Sequence, residues 1–299
     1  MTDYFMLALI GHPLSHSLSP ILHGAALQFA GLKGEYRLID ISPKNFHQEL
    51  AQSLPKELKG FNVTIPYKEV IYRLMSDHSL EAKLTGAVNT VKVEKDGRLS
   101  GHNTDLLAFR QSFTDSFDIN LKNKHAFVIG AGGAAKAVVI GLAQMGIAKI
   151  QIKAREVSKV NSFITEIKSN LIQFGENQNR MPDIVSSDQR NLSTRDEPIA
   201  AVINTSPIGL HGETAPDWLD DLLARLPISC VCFDLVYRKD KSKPTFARIA
   251  STKNLPVIDG LSMLVHQARF SFKYWTGVDV PVKVFFESLG LKTKESISP

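Results

Sequence analysis

The chain has 299 residues, 43% of them hydrophobic and 22% charged, which is the balance of a folded globular protein long enough for two domains with separate cores. Its 35 basic and 30 acidic residues leave a formal charge of +5, yet the signs are interspersed, so no basic arm or stripe marks a nucleic-acid binder. The small excess suits anionic small molecules.

Cys230 and Cys232 are the only cysteines. They are expected to face opposite sides of a strand, as core thiols in a reducing compartment rather than a disulfide. The start, Met1-Thr-Asp-Tyr4, lacks the basic-then-apolar pattern of a secretion signal. The apolar stretch from Ala126 to Ala148 is broken by Lys136, Gln144 and glycines, and reads as strand plus helix rather than a membrane span. A cytoplasmic protein is expected, with no membrane or nucleic-acid partner, as a monomer or homodimer.

Tyr4 to Ile10 predicts a first strand, ended by Gly11 and Pro13. Ser19-Pro20 predicts a helix start, with the serine as cap and the proline at the first position, and Gly31 stops that helix. Strands are expected over Glu35–Ile41 and Gly60–Thr64. Val88–Val93 and Arg98–Gly101 flank Lys95-Asp-Gly97, a hairpin signal. Asn103 to Phe117 carries apolar residues at helical spacing and is expected to cross between domains. Strands follow near 125–129, 148–153, 200–204, 230–235 and 255–258, with helical segments between several of them. Asn170 to Pro182 reads as an irregular surface loop, and Leu261 to Trp275 as a last helix returning to the first domain. The expected fold is two-domain α/β: an N-terminal α/β substrate domain (1–103 plus 260–299) and a Rossmann-type, doubly wound parallel-sheet nucleotide domain (104–259).

The second domain rests on Gly130-Ala-Gly-Gly-Ala134, which follows the apolar run His125–Ile129 and opens a helical stretch. In that strand–turn–helix context the first glycine permits the tight turn and the second lets backbone approach a pyrophosphate. The helix N-terminus then offers N–H donors and a positive dipole end.

Four of five further strings lie before the glycine loop: Gly11-His-Pro-Leu-Ser-His-Ser17-Leu-Ser19-Pro20, Asn62-Val-Thr64-Ile-Pro-Tyr-Lys68, Gly86-Ala-Val-Asn89-Thr90 and Asn103-Thr-Asp105. The fifth is Asp259-Gly-Leu-Ser-Met-Leu-Val-His-Gln267. Each places hydroxyls, amides or charges at strand ends and turns, where open α/β sheets collect ligands. Such a set suits a small polyhydroxylated ligand, with lysine or the paired serines available for a carboxylate. His12 and His16 are four apart, but Pro13 between them opposes a helix and no third ligand is evident, so no metal is expected.

These strings, the glycine loop, Asn204-Thr-Ser-Pro-Ile-Gly209 and Asp234-Leu-Val-Tyr237 together resemble the shikimate dehydrogenase family, including the quinate/shikimate dehydrogenases. The matches run in the family's order from Gly11 to Gln267. The resemblance implies reversible hydride transfer between a nicotinamide cofactor and 3-dehydroshikimate. It also implies that Ser17 and Ser19 hold the substrate carboxylate, that Thr64, Asn89, Asp105 and Gln267 bind ring oxygens, and that Tyr237 helps close the pocket. Lys68 and Asp105 are the expected catalytic pair. The carbonyl oxygen gains charge as hydride arrives, so the Lys68 ammonium donates the proton while Asp105 orients it. The bland alternatives are a solvated lysine after a proline turn and an acid favoured by a helix N-terminus.

Cofactor contacts are expected at Gly130, Ala131, Gly132, Gly133, Ala134, Arg155, Glu156, Lys159, Leu235 and Gly260. Relatives that use NADP typically read Asn-Arg-Thr where this chain reads Ala154-Arg-Glu156, with a basic residue three positions on. Arg155 and Lys159 suit a 2′-phosphate, whereas Glu156 would repel it and accept from a free 2′-hydroxyl. The balance favours NADP(H), with NAD(H) as the alternative. Leu106 and Ser262 stand where the family usually has glycine, and Arg238-Lys239 where it has Asn-Pro. The competing readings are a quinate dehydrogenase, a non-catalytic sensor of a shikimate-like ligand, and another Rossmann dehydrogenase such as the methylenetetrahydrofolate type. The Ser17/Ser19 and Asn89/Asp105 strings argue against the last.

Overall fold

In the computed structural model, which describes residues 4–55, 57–175, 181–187, 198–210 and 215–291, the chain divides into two units, Met1–Ala108 with Leu264–Pro299 and Phe109–Met263. The first unit contains β1 (Phe5–Gly11), α1 (Ser19–Phe29), β2 (Gly34–Asp40), a 3₁₀ turn (Pro43–Asn45), α2 (Phe46–Ser53) and β3 (Leu58–Val63). These are followed by α3 (Lys68–Leu74), β4 (Asp77–His78), α4 (Leu80–Thr85), β5 (Thr90–Val93), β6 (Leu99–His102) and the start of α5 (Thr104–Ser116).

Its sheet runs β2-β1-β3-β5-β6-β4. β1 is parallel to both β2 and β3, whereas β3–β5 and β5–β6 are antiparallel, the latter pair joined by the expected hairpin. Register sets Ile10 opposite Val63, Asn62 opposite Thr90 and Thr90 opposite His102. The carboxyl ends of β1, β3 and β6 and the amino end of β5 therefore share one edge of the sheet. The polar strings emerge there, while Ala8, Ile10, Phe61, Val63 and Val91 bury their side chains in the core.

The second unit begins within α5 and continues through β7 (His125–Ile129), α6 (Gly133–Gln144), β8 (Lys149–Lys153), α7 (Val157–Phe174), β9 (Asp183–Ser186) and β10 (Ile199–Asn204). Then come α8 (Asp217–Ala224), β11 (Val231–Asp234), α9 (Thr245–Thr252), β12 (Val257–Ile258) and the start of α10 (Leu261–Thr276), which carries the chain back into the first unit before α11 (Val282–Ser288). All pairings are parallel, in the order β12-β11-β10-β7-β8-β9. Counted within the unit this is 3-2-1-4-5-6, the doubly wound nucleotide-binding order. Near-continuous apolar runs in β7, β10 and β11 follow from burial on both faces of a parallel sheet. Among the described residues, no helix is long and apolar enough to cross a membrane.

Three local expectations are corrected. Ser19 does not cap α1: Leu18 occupies the cap position with no side-chain cap, and Ser17 Oγ instead accepts from the Ser19 N–H at 3.2 Å. Asn170 to Phe174 belong to α7, because buried Ile167 and Leu171 extend its apolar face; positions 176–180 of the expected loop lie outside the described residues. Cys230 and Cys232 do not face apart. Side chains two apart along an extended segment lie on the same face, so both thiols enter one core cluster, and a hydrogen bond with Cys230, ahead of burial, pushes the Cys232 thiol up.

Candidate active site

Lys68 is the first residue of α3, a position where the helix dipole disfavours a cation. A carboxylate compensates: Lys68 Nζ donates to Asp105 Oδ2 at 2.5 Å. The Asp105 side chain is 1% exposed and that of Lys68 14%, so the pair is shielded, the carboxylate more fully than the lysine. Asp105 lies in the first turn of α5, whose start is capped by Asn103 Oδ1 accepting from the Leu106 N–H at 3.3 Å. Asn103 is itself held by donation to the Ala87 carbonyl at 2.9 Å and Thr85 Oγ1 at 3.0 Å.

Asn89 locks the second carboxylate oxygen. Its Nδ2 donates to Asp105 Oδ1 at 2.8 Å and to Thr104 Oγ1 at 3.0 Å. Its Oδ1 accepts the Thr104 backbone N–H at 2.8 Å and the hydroxyls of Thr90 and Thr104 at 3.0 and 3.1 Å. Because a backbone N–H can only donate, this arrangement fixes which way the amide points. Thr64 follows β3, and its N–H donates to Ile10 at 2.9 Å. Its methyl lies where a side chain on Gly11 would have to go, 2.2 Å from that Cβ position, so Gly11 lets the loops after β1 and β3 close together. Ser17, in the first of these loops, and Ser19, at the start of α1 that follows it, are half-buried. Asp40 braces the same loop, accepting from the Leu14 N–H at 2.9 Å and bonding His12 Nδ1 at 2.6 Å. The His12 bond, ahead of other causes, holds the Asp40 carboxyl below its usual range. Gln267 lies half-buried in α10.

In the second unit the glycine loop joins β7 to α6. Gly130 has φ +115°, and a side chain there would fall 2.4 Å from Thr205 Oγ1. Its N–H donates to the Lys153 carbonyl at 2.8 Å, while Thr205 N donates to Ile129 at 2.8 Å, lacing the ends of β7, β8 and β10. Gly132 is the cap residue of α6 and offers no side chain to its N–H groups; a Cβ built on it would meet nothing within 4 Å. Backbone donors with open space above them fit a pyrophosphate. Gly260 is needed for close approach, since a Cβ there would lie 2.2 Å from the Leu235 carbonyl. Beyond β8, Arg155 is exposed, and Glu156 Oε1 accepts from Lys159 Nζ at 2.8 Å. Tyr237 is half-buried three residues past β11.

The structure thus brings Lys68, Asn89 and Asp105 into one hydrogen-bonded group and sets Thr64 against Gly11, where the loop that carries Ser17 and leads to Ser19 begins. Sequence reasoning assigned no role to Asn62, Thr90, Thr104 or Asp40. The first three sit inside the quoted strings, so position was available without contact; Ser271, a further partner, lies in none.

A doubly wound nucleotide half and a second α/β half with a buried lysine–carboxylate pair define a nicotinamide-dependent oxidoreductase acting on a CH–OH group. Residues 9–91 match the shikimate dehydrogenase substrate binding domain, 112–188 the shikimate/quinate 5-dehydrogenase domain and 260–285 the shikimate 5′-dehydrogenase C-terminal domain. The shikimate dehydrogenase (NADP(+)) of Magnetococcus marinus is 36% identical over 285 residues, 95% of each chain. Shikimate dehydrogenase from Aquifex aeolicus is 30% identical, with a TM-score of 0.81 over 97% of this chain and 98% of that one. Shikimate 5-dehydrogenase from Thermus thermophilus, solved with NADP(H) and shikimate, is 30% identical with a TM-score of 0.78 over 96% and 98%. The chain belongs to the shikimate dehydrogenase family.

Proposed function

We propose that this chain catalyses the reversible, NADP(H)-dependent reduction of 3-dehydroshikimate to shikimate in aromatic amino acid biosynthesis. The carrying observation is the Lys68–Asp105 pair, pinned by Asn89 at the sheet edge where the polar strings converge. Substrate binding falls to the unit built from the two ends of the chain and nucleotide binding to the central unit. Ser17 and Ser19 take the ring carboxylate; Thr64, Asn89, Asp105 and Gln267 take ring oxygens; Tyr237 covers the substrate.

A bound nicotinamide nucleotide supplies or accepts the hydride. The N–H groups of Gly130 to Ala134 would hold its pyrophosphate, with Leu235 and Gly260 lining the approach. Lys68 gives a proton to the carbonyl oxygen as negative charge builds there, and Asp105 holds the ammonium in place for that transfer. Partial exposure of Lys68 lets solvent restore the proton. Arg155 favours a 2′-phosphate, and Glu156 opposes it less than its charge suggests because Lys159 already engages it. A cytoplasmic setting agrees with two free, buried cysteines.

The test is nicotinamide absorbance with purified protein and shikimate, comparing NADP⁺ with NAD⁺ and running quinate in parallel. Turnover with shikimate and NADP⁺ is expected. Turnover on quinate alone would move the chain to the quinate branch, and none on either substrate would defeat the reading.

A further inference from the structure

Ser271 is fully buried on α10, and its hydroxyl is turned away from its own helix. A buried serine in a helix commonly bonds the carbonyl one turn back, as Thr276 does to Phe272 at 2.8 Å on this same helix. Ser271 instead reaches three other elements: Thr90 Oγ1 on β5 at 2.8 Å, Asn62 Nδ2 on β3 at 2.9 Å and Thr104 Oγ1 on α5 at 3.3 Å. Thr90 and Thr104 are the residues that hold Asn89, which in turn holds Asp105.

A second anchor lies one turn further along. Trp275 Nε1 donates to the Val91 carbonyl at 2.8 Å, its ring lying over Gly60 where a Cβ would come within 2.4 Å. Gln267, Ser271 and Trp275 are spaced by four and share one face of α10. The two anchored side chains therefore set the height and rotation of the helix that carries Gln267.

We propose that Ser271 is a positioning residue that ties α10 to the elements holding Asp105, so that Gln267 and the Lys68–Asp105 pair act on one substrate in a fixed relation. The inference rests on the proposed shikimate reading. It predicts that removing one hydroxyl on the helix that carries Gln267 disturbs the substrate parameters and leaves those of the nucleotide alone.

Ser271→Ala removes the hydroxyl without adding volume. It should raise KM for shikimate about tenfold and lower kcat, with KM for NADP⁺ within about twofold of wild type. Ser271→Thr, which restores a hydroxyl, should recover most of the loss. Hydrogen exchange of the α10 amides from 264 to 272 gives a readout independent of turnover: faster in Ser271→Ala than in wild type. Wild-type KM and kcat in Ser271→Ala, an equal change in KM for both substrates, or unchanged exchange would each overturn the proposal. Absence of shikimate turnover in the wild type would instead defeat the functional reading on which it stands.

Discussion

Asp105 and Lys68, 37 residues apart in sequence, meet at 2.5 Å with the carboxylate almost wholly enclosed, and the second carboxylate oxygen is taken by Asn89 at 2.8 Å. An enclosed pair of this kind gains little from its mutual attraction alone, because desolvation offsets it. Removing one partner is another matter, since the survivor is left charged and buried. The arrangement is therefore costly to break and well suited to holding an ammonium at a defined place.

Lys68→Ala should lower kcat by about 10²–10⁴, the usual range for losing a positioned proton donor. It should also lower the unfolding free energy by about 3 kcal/mol through the stranded Asp105. Steady-state kinetics and urea unfolding on the same preparation check both. Turnover near the wild-type value would remove Lys68 from the mechanism.

Cofactor preference is expected to turn on three exposed side chains, Arg155, Glu156 and Lys159. The Glu156–Lys159 pair is 59% and 69% exposed, so it is worth at most about 1 kcal/mol and opens readily to a phosphate. A charge-assisted bond from Arg155 to a 2′-phosphate is worth roughly 1.5–3 kcal/mol. Arg155→Ala should thus raise KM for NADP⁺ by about 10–100-fold with little change for NAD⁺. Glu156→Gln should shift preference further toward NADP⁺. If Arg155→Ala weakened both nucleotides alike, the arginine would be serving something other than the phosphate.

Asp234, at the end of β11, is fully buried, and burial pushes its carboxyl up to about 7 against three donors: Asn204 Nδ2 at 2.8 Å and the N–H groups of Val236 and Ala247 at 3.1 and 3.3 Å. Between the unfolded value near 4 and this folded value, the native state holds a proton that the unfolded chain releases. Stability from this group is thus full in acid and declines as pH rises to about 7, by up to roughly 4 kcal/mol. Asp234→Asn cannot ionise, so the urea-unfolding advantage of wild type over this variant should shrink from pH 5 to pH 8. A constant difference would mean that the carboxylate stays ionised in the fold.

Gly60→Ala should cost about 1–3 kcal/mol, because the new methyl would overlap the indole of Trp275. The Val91 carbonyl would also lie 2.9 Å from that methyl, so the indole carries most of the penalty and β5 the remainder. Trp275→Ala in the same background should therefore cost less than the sum of the two single changes, which a double-mutant cycle in urea would register. Additivity would place the strain elsewhere.

The order of elements was readable in the sequence where segments were long or bounded by glycine and proline. The strand, glycine turn and helix from His125 onward needed only local pattern, and so did the hairpin at Lys95-Asp-Gly97. Shorter pieces escaped. β4 has two residues and α3 and α4 seven and six, too few for a period to show itself. The cysteines were misjudged because strand alternation has a period of two, which sets Cys230 and Cys232 on one face.

By itself the sequence determined which residue types stand at strand ends and turns: the serines after β1, Lys68 after a proline, Asp105 behind its asparagine cap, and glycines where φ or close approach forbids a side chain. These are local matters of backbone sterics and capping. Only the tertiary structure decided which of them touch. Asn89 meets Asp105 because β5 and β6 pair in one register. Asn62 meets Ser271 across 209 residues because an indole settles on a glycine and draws α10 down onto β3 and β5. Neither contact leaves a periodic or local trace in the chain, since each depends on how separate elements pack rather than on the conformation of any one of them.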